Sequence, residues 1–244
     1  MTTTLGTRCH RAGDRPPHQL QRALFVEGND SQILSRFAQK VGLSTLAYRN
    51  DFAVIPVGGF SPERIRSLKN GMETALGGRI IAAALMDKDY RCGAECEAIV
   101  SECNEFCAYA SIHACKEIEN FLLVPEAMDR AAVRRLADRA LRSGNAAAYN
   151  SSAAAFLDSF ANEKKSYVSG QYVAERGHFQ RGSGLSQATI AEAALRELET
   201  CWGDQRERLK VIPGKEALSR FNNYLQSEIR DYDYADGHCR RDAR

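Results

Sequence analysis

Two aspartates, Asp87 and Asp89, close an apolar run with a single lysine between them. On an extended strand, side chains two positions apart project to the same side. Adjacent carboxylates repel each other, and a shared divalent cation relieves the repulsion. Hard ions such as Mg²⁺ take oxygen ligands, often one or two carboxylates together with substrate phosphates. A solvated turn that happens to carry two acids is the plain alternative. Other acids stand in comparable places: Glu27 follows Ala23-Leu24-Phe25-Val26, and Glu119 follows the apolar stretch 106–114. If these stretches are parallel strands, carboxylates from three of them meet at one sheet edge, where they can hold one or two Mg²⁺ or Mn²⁺ ions. Two such ions about 4 Å apart clamp the attacking and leaving oxygens of a phosphoryl displacement. Asp30 has an ordinary use as well, as cap of the helix that follows it.

The elements that must position these acids are written in the same residues. Ile80 to Met86 is unbroken apolar sequence, expected as a strand covered on both faces. Strands are predicted at 23–26, 52–57, 80–86 and 106–114, and helices between them at 31–41, 61–76 and 93–105. Gly42 and the pair Gly77-Gly78 stop two of those helices, and Pro62 opens one. Alternation of this length implies parallel strands with right-handed crossovers, an α/β doubly wound sheet of about four strands with flanking helices. Ligands in such sheets bind at the carboxyl ends of the strands. Gly58-Gly59 follows the second strand. Beyond Pro125 the pattern turns helical, with helices expected at 131–141, 153–160, 186–202 and 216–229. The basic, Gly-containing stretch 164–184 is expected as a mobile loop. Residues 1–20 are polar and are expected as linker or disordered chain, and 231–244 as a flexible tail. The organisation expected is thus a sheet domain at 21–124 and a helical region at 125–230.

A chain of 244 residues has ample material for a core, and its formal charge of only +2 rules out a global polycation. Nucleic-acid contact would have to come from local patches, for which Arg134, Arg135, Arg139, Lys164 and Lys165 are candidates; a solvated face is the alternative for each. No apolar run approaches the ~20 residues of a membrane span. The amino terminus lacks the apolar core of a signal peptide. A cytoplasmic protein is expected, its eight cysteines reduced. On a helix, Cys92, Cys96, Cys103 and Cys107 would share one narrow face. One face of a straight helix cannot wrap a tetrahedral zinc, so core packing is the reading preferred.

Four segments, LFVEGND, LMDKD, KEIENFLL and IPGKEAL, occur in this order. Together they resemble the TOPRIM nuclease domain of the OLD (overcoming lysogenization defect) family, especially the version that accompanies an ABC-type ATPase in bacterial anti-phage systems. The resemblance covers about residues 22–124 and, in the helical remainder, 202–218. It implies a Mg²⁺-dependent endonuclease that hydrolyses phosphodiester bonds of DNA or RNA. It implies Asp87 and Asp89 as ligands of the principal metal and Glu27 as a ligand or proton-transfer residue. Asp30 becomes a second-site acid, and Glu119, with Glu117, supplies the remaining carboxylate. Lys215 would approach the metal site, stabilising phosphate charge or activating water. Gly58-Gly59 matches the family's glycine turn. The sequence holds no GxxxxGK[ST] phosphate-binding loop. The ATPase is therefore expected as a separate subunit, or the chain as a fragment of a longer one. The helical half would then dock on that subunit or form a homodimer. Two readings compete. One is a non-catalytic TOPRIM module that binds a partner. The other is a DxD metal-dependent glycosyltransferase, which gives no account of Glu27 or of EIEN.

Overall fold

The computed structural model describes residues 22–28, 31–49, 51–59, 61–144 and 148–239, with side chains up to Ser227, Ser143 excepted. Asp30 and the stretch 1–20 therefore lie outside the described residues. Strands β1 (Arg22–Val26), β2 (Ala53–Pro56), β3 (Ile81–Met86) and β4 (Tyr109–Ile112) alternate with helices α1 (Ser31–Lys40), α2 (Ser44–Tyr48), α3 (Pro62–Leu76) and α4 (Gly93–Asn104). A 3-10 turn at Ile118–Leu122 leads into α5 (Pro125–Ser143), α6 (Ala153–Phe179), α7 (Gln187–Trp202), α8 (Gln205–Val211) and α9 (Gly214–Cys239). The fold is α/β, a parallel sheet with flanking helices followed by a mainly helical region.

The strand order is β2-β1-β3-β4. Ala23 to Val26 run in register with Ala53 to Pro56 on one side, and Arg22 to Val26 with Ile81 to Leu85 on the other. The Ala108 amide donates to the Ala82 carbonyl, and the His113 amide to the Met86 carbonyl, so β4 advances in the direction of β3. The order reverses between β1 and β3, the point at which open parallel sheets admit ligands. Local chemistry sets the element ends. Ser61 accepts from the Arg64 amide ahead of Pro62 in the first turn of α3, and Gly77 closes that helix at a φ of 66°.

By its internal contacts the chain divides into two compact units. One comprises residues up to Leu85 with Glu102–Ala110; the other comprises Met86–Ser101 with Ser111–Arg244. In the first, Phe25, Val26, Ala82 and Ala84 are buried, with Ile65 of α3. The second has its own core from α5 to α9, centred on Leu157, Phe160, Tyr172, Leu198, Trp202 and Ile212.

Several expectations need correction. β3 is not covered on both faces: Ala82, Ala84 and Met86 are buried, whereas Ile81 is 54% exposed. An unbroken apolar run does not show which face is covered, and the alanines make this run apolar without filling both sides. The stretch 164–184 is not a loop up to residue 179. It continues α6, because Leu157, Ala161, Val168, Tyr172 and Arg176 form one buried stripe at helical spacing. That stripe outweighs the modest propensity cost of Gly170 and Gly177. α5 begins at Pro125 rather than near 131, its buried Met128, Ala132 and Leu136 repeating every fourth residue. α9 continues through the expected tail to Cys239, and α2 and α8 are additional short helices. Cys92 precedes α4 and Cys107 follows it, so the four cysteines do not share one helix. Burial pushes the Cys103 thiol up to about 12 and also raises that of Cys107, as expected of packed, unreactive groups.

Leu157 is wholly buried at the centre of the helical core. Leu157→Ala should destabilise the protein by about 2–5 kcal/mol, from lost burial plus the cavity left behind, as measured by denaturant titration.

Candidate active site

Where β3 ends, the chain makes a tight turn through Asp87, Lys88, Asp89 and Tyr90, and the second unit grips that turn from several sides. The Lys88 amide donates to the Cys115 carbonyl at 3.2 Å and the Asp89 amide to the Lys116 carbonyl at 3.0 Å. Parallel pairing between the two segments thus persists beyond the strands. From α6, buried Arg176 donates through Nη1 to the Tyr90 carbonyl at 2.6 Å, while its other nitrogens hold Glu197. Asp89 sits at a φ of +48°, one of two non-glycine residues with positive φ among those described. Asp tolerates this left-handed region better than most side chains, and the conformation persists where its surroundings enforce it.

Asp87 is buried, and its Oδ1 lies 2.6 Å from Nε2 of His113, the residue directly after β4. The other ring nitrogen, Nδ1, accepts from the Cys115 amide at 3.3 Å. An accepting Nδ1 carries no hydrogen, so the neutral ring bears its hydrogen on Nε2 and donates it to Asp87. The Phe121 ring packs edge-on against the imidazole, 5.4 Å between centroids. Arg91 Nη1 pairs with Asp89 Oδ2 at 3.0 Å and reaches the Asp87 carbonyl at 3.3 Å. Its Nε stands 3.9 Å from Glu95. Glu95 is buried beside Glu175. Its carboxyl is held above the usual range by that burial first and by the Glu175 charge second, against the opposing pull of Arg91 and Arg176.

The EIEN and PGK segments interlock. Asn120 is buried, and its Nδ2 donates to the carbonyls of Leu209 at 2.7 Å and Ile212 at 2.8 Å. Its Oδ1 accepts from the Glu117 amide at 2.9 Å. The backbone reinforces this, the Lys116 amide donating to the Lys210 carbonyl at 2.7 Å. A Cβ on Gly214 would lie 2.7 Å from Asn120 Oδ1 and 2.9 Å from its backbone nitrogen, which only glycine avoids. Glu117 Oε2 accepts from the Lys215 amide at 2.8 Å, and its other oxygen pairs with Lys116. The Lys215 ammonium, on a half-exposed side chain, then lies 3.8 Å from Glu119 Oε1.

Of the sequence-predicted site residues, the second unit brings together Asp87 and Asp89 on one turn and Glu117, Glu119 and Lys215 on the neighbouring segments. Glu27 belongs to the first unit, directly after β1, where its carbonyl accepts from the Gly58 amide. Gly58 and Gly59 there adopt φ of +68° and +89°. The basic candidates lie on two helices, Arg134, Arg135 and Arg139 on α5 and Lys164 and Lys165 on α6. Arg134 is exposed on α5 and Arg135 donates to Asn222. On α6, Lys164 is tied to Glu216, and Lys165 to Glu199 beside Trp202. Three residues escaped the sequence reading. His113 carried a usable signal, a histidine at the same strand end as the DxD turn. Arg91 lies two residues past Asp89. Arg176 was hidden in a stretch read as loop.

Among the described residues, no three His, Cys, Asp or Glu side chains converge as a closed metal cage requires. The donors available are hard carboxylate oxygens, which suit Mg²⁺. That ion needs no such cage, being bound through one or two carboxylates with water and substrate phosphate completing its shell. No family model matches the chain, and neither a curated protein nor a solved structure matches it. No helix among the described residues is long and apolar enough to cross a membrane.

Two outcomes follow. Gly214→Ala should lower stability by about 1–3 kcal/mol, as overpacking against a buried partner does. Gly203→Ala, at a φ of −67° with its nearest new contact at 3.9 Å, should be near neutral in the same thermal melts. The raised Glu95 carboxyl keeps its proton longer when folded than when unfolded. Its contribution is complete below the ordinary carboxylate range and fades as pH rises through the higher folded value. Glu95→Gln should flatten that decline, raising stability near neutral pH relative to wild type in a pH series of melts.

Proposed function

We propose that this chain is a Mg²⁺- or Mn²⁺-dependent nuclease of the TOPRIM, OLD-like kind that its motif order resembles, hydrolysing phosphodiester bonds in DNA or RNA. The observation that carries the reading is the interlock of EIEN with PGK. Residues 98 positions apart are joined by the Lys215 amide on Glu117, and the Lys215 ammonium is delivered to Glu119, on the segment paired with the Asp87–Asp89 turn. Asp87 and Asp89 would hold the cation, with water and substrate phosphate completing its shell, and Glu119 would hold Lys215 nearby. When bound, the cation supplies Lewis-acid stabilisation of phosphate charge and lowers the pKa of a bound water. Lys215, 56% exposed along its side chain and 3.8 Å from Glu119, would turn its charge toward a non-bridging phosphate oxygen. Arg91 neutralises Asp89 until substrate or cation does so. Glu27, at the carboxyl end of β1, enters this proposal on the motif alone, and Asp30 likewise.

The proposal extends to a partner. Val133, Ala137 and Leu141 repeat every fourth residue along α5 and are all exposed, Leu141 to 86%. An apolar stripe of this kind suits docking on an ATPase subunit of an anti-phage system, or on a second copy of the chain. The cytoplasm is the compartment such a system requires.

One observation favours a second reading, that of a non-catalytic module. Each candidate-site acid of the second unit already has a cation or ring donor beside it: Asp87 with His113, Asp89 with Arg91, Glu117 with Lys116, Glu119 with Lys215. A self-neutralised array does not require a metal to be stable.

Cleavage assays on supercoiled plasmid and on tRNA, with Mg²⁺ or Mn²⁺ and with chelator, separate the two. Wild type should cut one of them in a metal-dependent way. Asp87→Asn with Asp89→Asn should abolish cutting without lowering the melting temperature of the metal-free protein by more than a few degrees. Lys215→Ala should lose roughly 100-fold or more in rate, the scale of removing one electrostatic stabiliser of a transition state. Metal should raise the melting temperature of wild type by mass action and leave that of the double variant unchanged. No cleavage of either substrate, or equal cleavage by the double variant, would favour the binding module.

A further inference from the structure

The pair formed by His113 and Asp87 has a use that no motif assigns. Its geometry fixes the roles of both nitrogens of the ring. Nδ1 accepts from the Cys115 amide at 3.3 Å and Nε2 donates to Asp87 Oδ1 at 2.6 Å. A ring with both nitrogens engaged is not a general base for water. It is a rigid donor, and two further contacts hold it. Its own amide is bonded to the Met86 carbonyl, the Phe121 ring packs on it, and Cys115, which supplies the Nδ1 contact, is buried.

We infer that His113 is a positioning residue for Asp87. It fixes the rotation of the Asp87 carboxylate by occupying Oδ1, which leaves Oδ2 as the oxygen with which a divalent cation is taken. This rests on the metal-dependent reading given above. The arrangement reverses the familiar outer-shell pair in which a metal-bound histidine leans on a carboxylate; here the carboxylate is the inner group and the imidazole the support. Outer-shell donors of this kind hold a ligand in a single orientation, and their loss typically costs 10–100-fold in metal affinity.

Three variants separate this role from plain packing. In His113→Gln the amide nitrogen reaches about as far as Nε2 and still donates to Asp87. In His113→Asn the shorter side chain can serve the Cys115 amide but not Asp87. His113→Ala serves neither. The measurement is Mn²⁺ affinity, read from the paramagnetic resonance signal of free Mn²⁺ during titration of the protein without nucleic acid, alongside metal-free melting temperatures. Wild type and His113→Gln should bind with similar affinity, and His113→Asn and His113→Ala should each bind about 10–100-fold more weakly. If His113→Ala fails to fold, the Gln and Asn pair carries the comparison. Wild-type affinity in His113→Asn, or a loss in His113→Gln equal to that in His113→Asn, would overturn the assignment while leaving the metal reading intact. Absence of Mn²⁺ binding in wild type would overturn the metal reading itself, and this assignment with it.

Discussion

The second unit depends on one buried amide. Asn120 offers two N–H donors and one carbonyl, and all three functions are used: the donors on the carbonyls of Leu209 and Ile212, the acceptor on the Glu117 amide. A buried amide left unsatisfied costs about 1–3 kcal/mol for each stranded group. Alternative positions of the α8–α9 junction therefore meet a steep penalty. Gly214 shows how closely the two segments approach, since a single methyl has no room there. From this clamp follow the placement of Glu117 against the Lys215 amide and of the Lys215 ammonium against Glu119. From the backbone pairing of 88–89 with 115–116 follows the placement of the aspartate turn beside them. The candidate residues thus sit on loops whose positions are fixed by hydrogen bonds rather than by strand geometry alone.

The turn itself is a place where local preference yields to its surroundings. Asp89 holds a positive φ, Arg176 grips the next carbonyl, and Arg91 lies between Asp89 and the Glu95–Glu175 pair. Charge of both signs is drawn into a small region, and the desolvation of Glu95 shows the cost. Cores that merely pack avoid such arrangements. Groups perturbed in this way mark candidate functional sites, and they gather at this turn.

The sheet was legible because β1, β2 and β3 are short apolar runs bounded by glycine and acid, and because helical stripes separate them. Asp87 and Asp89 stood out as candidates because two acids close such an apolar run, whereas their partners His113 and Arg91 are visible only in the structure. The covering of β3 was not legible: Ile81 and Ala82 are alike in polarity, yet one is exposed and the other buried. Nor was α6, whose Gly170, Gly177 and paired lysines imitate a loop while the buried stripe from Leu157 to Arg176 extends over too many turns to be noticed in a short window. The role of Asn120 was invisible for a different reason. Its partners lie 89 and 92 residues away, and no local pattern records a contact of that span. His113 stands between these cases: its type and position were plain, but only the geometry of both ring nitrogens gives it a task.

That same span governs synthesis. A ribosome releases the chain from its amino end, so β1 to β4 emerge well before α8 and the first turn of α9. Until Leu209, Ile212 and Lys215 have emerged, Asn120 has no carbonyls to hold and Glu117 no Lys215 amide to accept, and the segment that carries Glu119 lacks its anchor. Domains fold as units during translation, amino-terminal parts first, and here a later-made part completes an earlier one. A truncated or stalled product would carry every acid of the candidate site and still lack the contacts that set Glu117 and Glu119 in place. For a protein whose proposed action would harm its own cell, a site completed only once residues 209–215 have emerged would keep shorter copies inert.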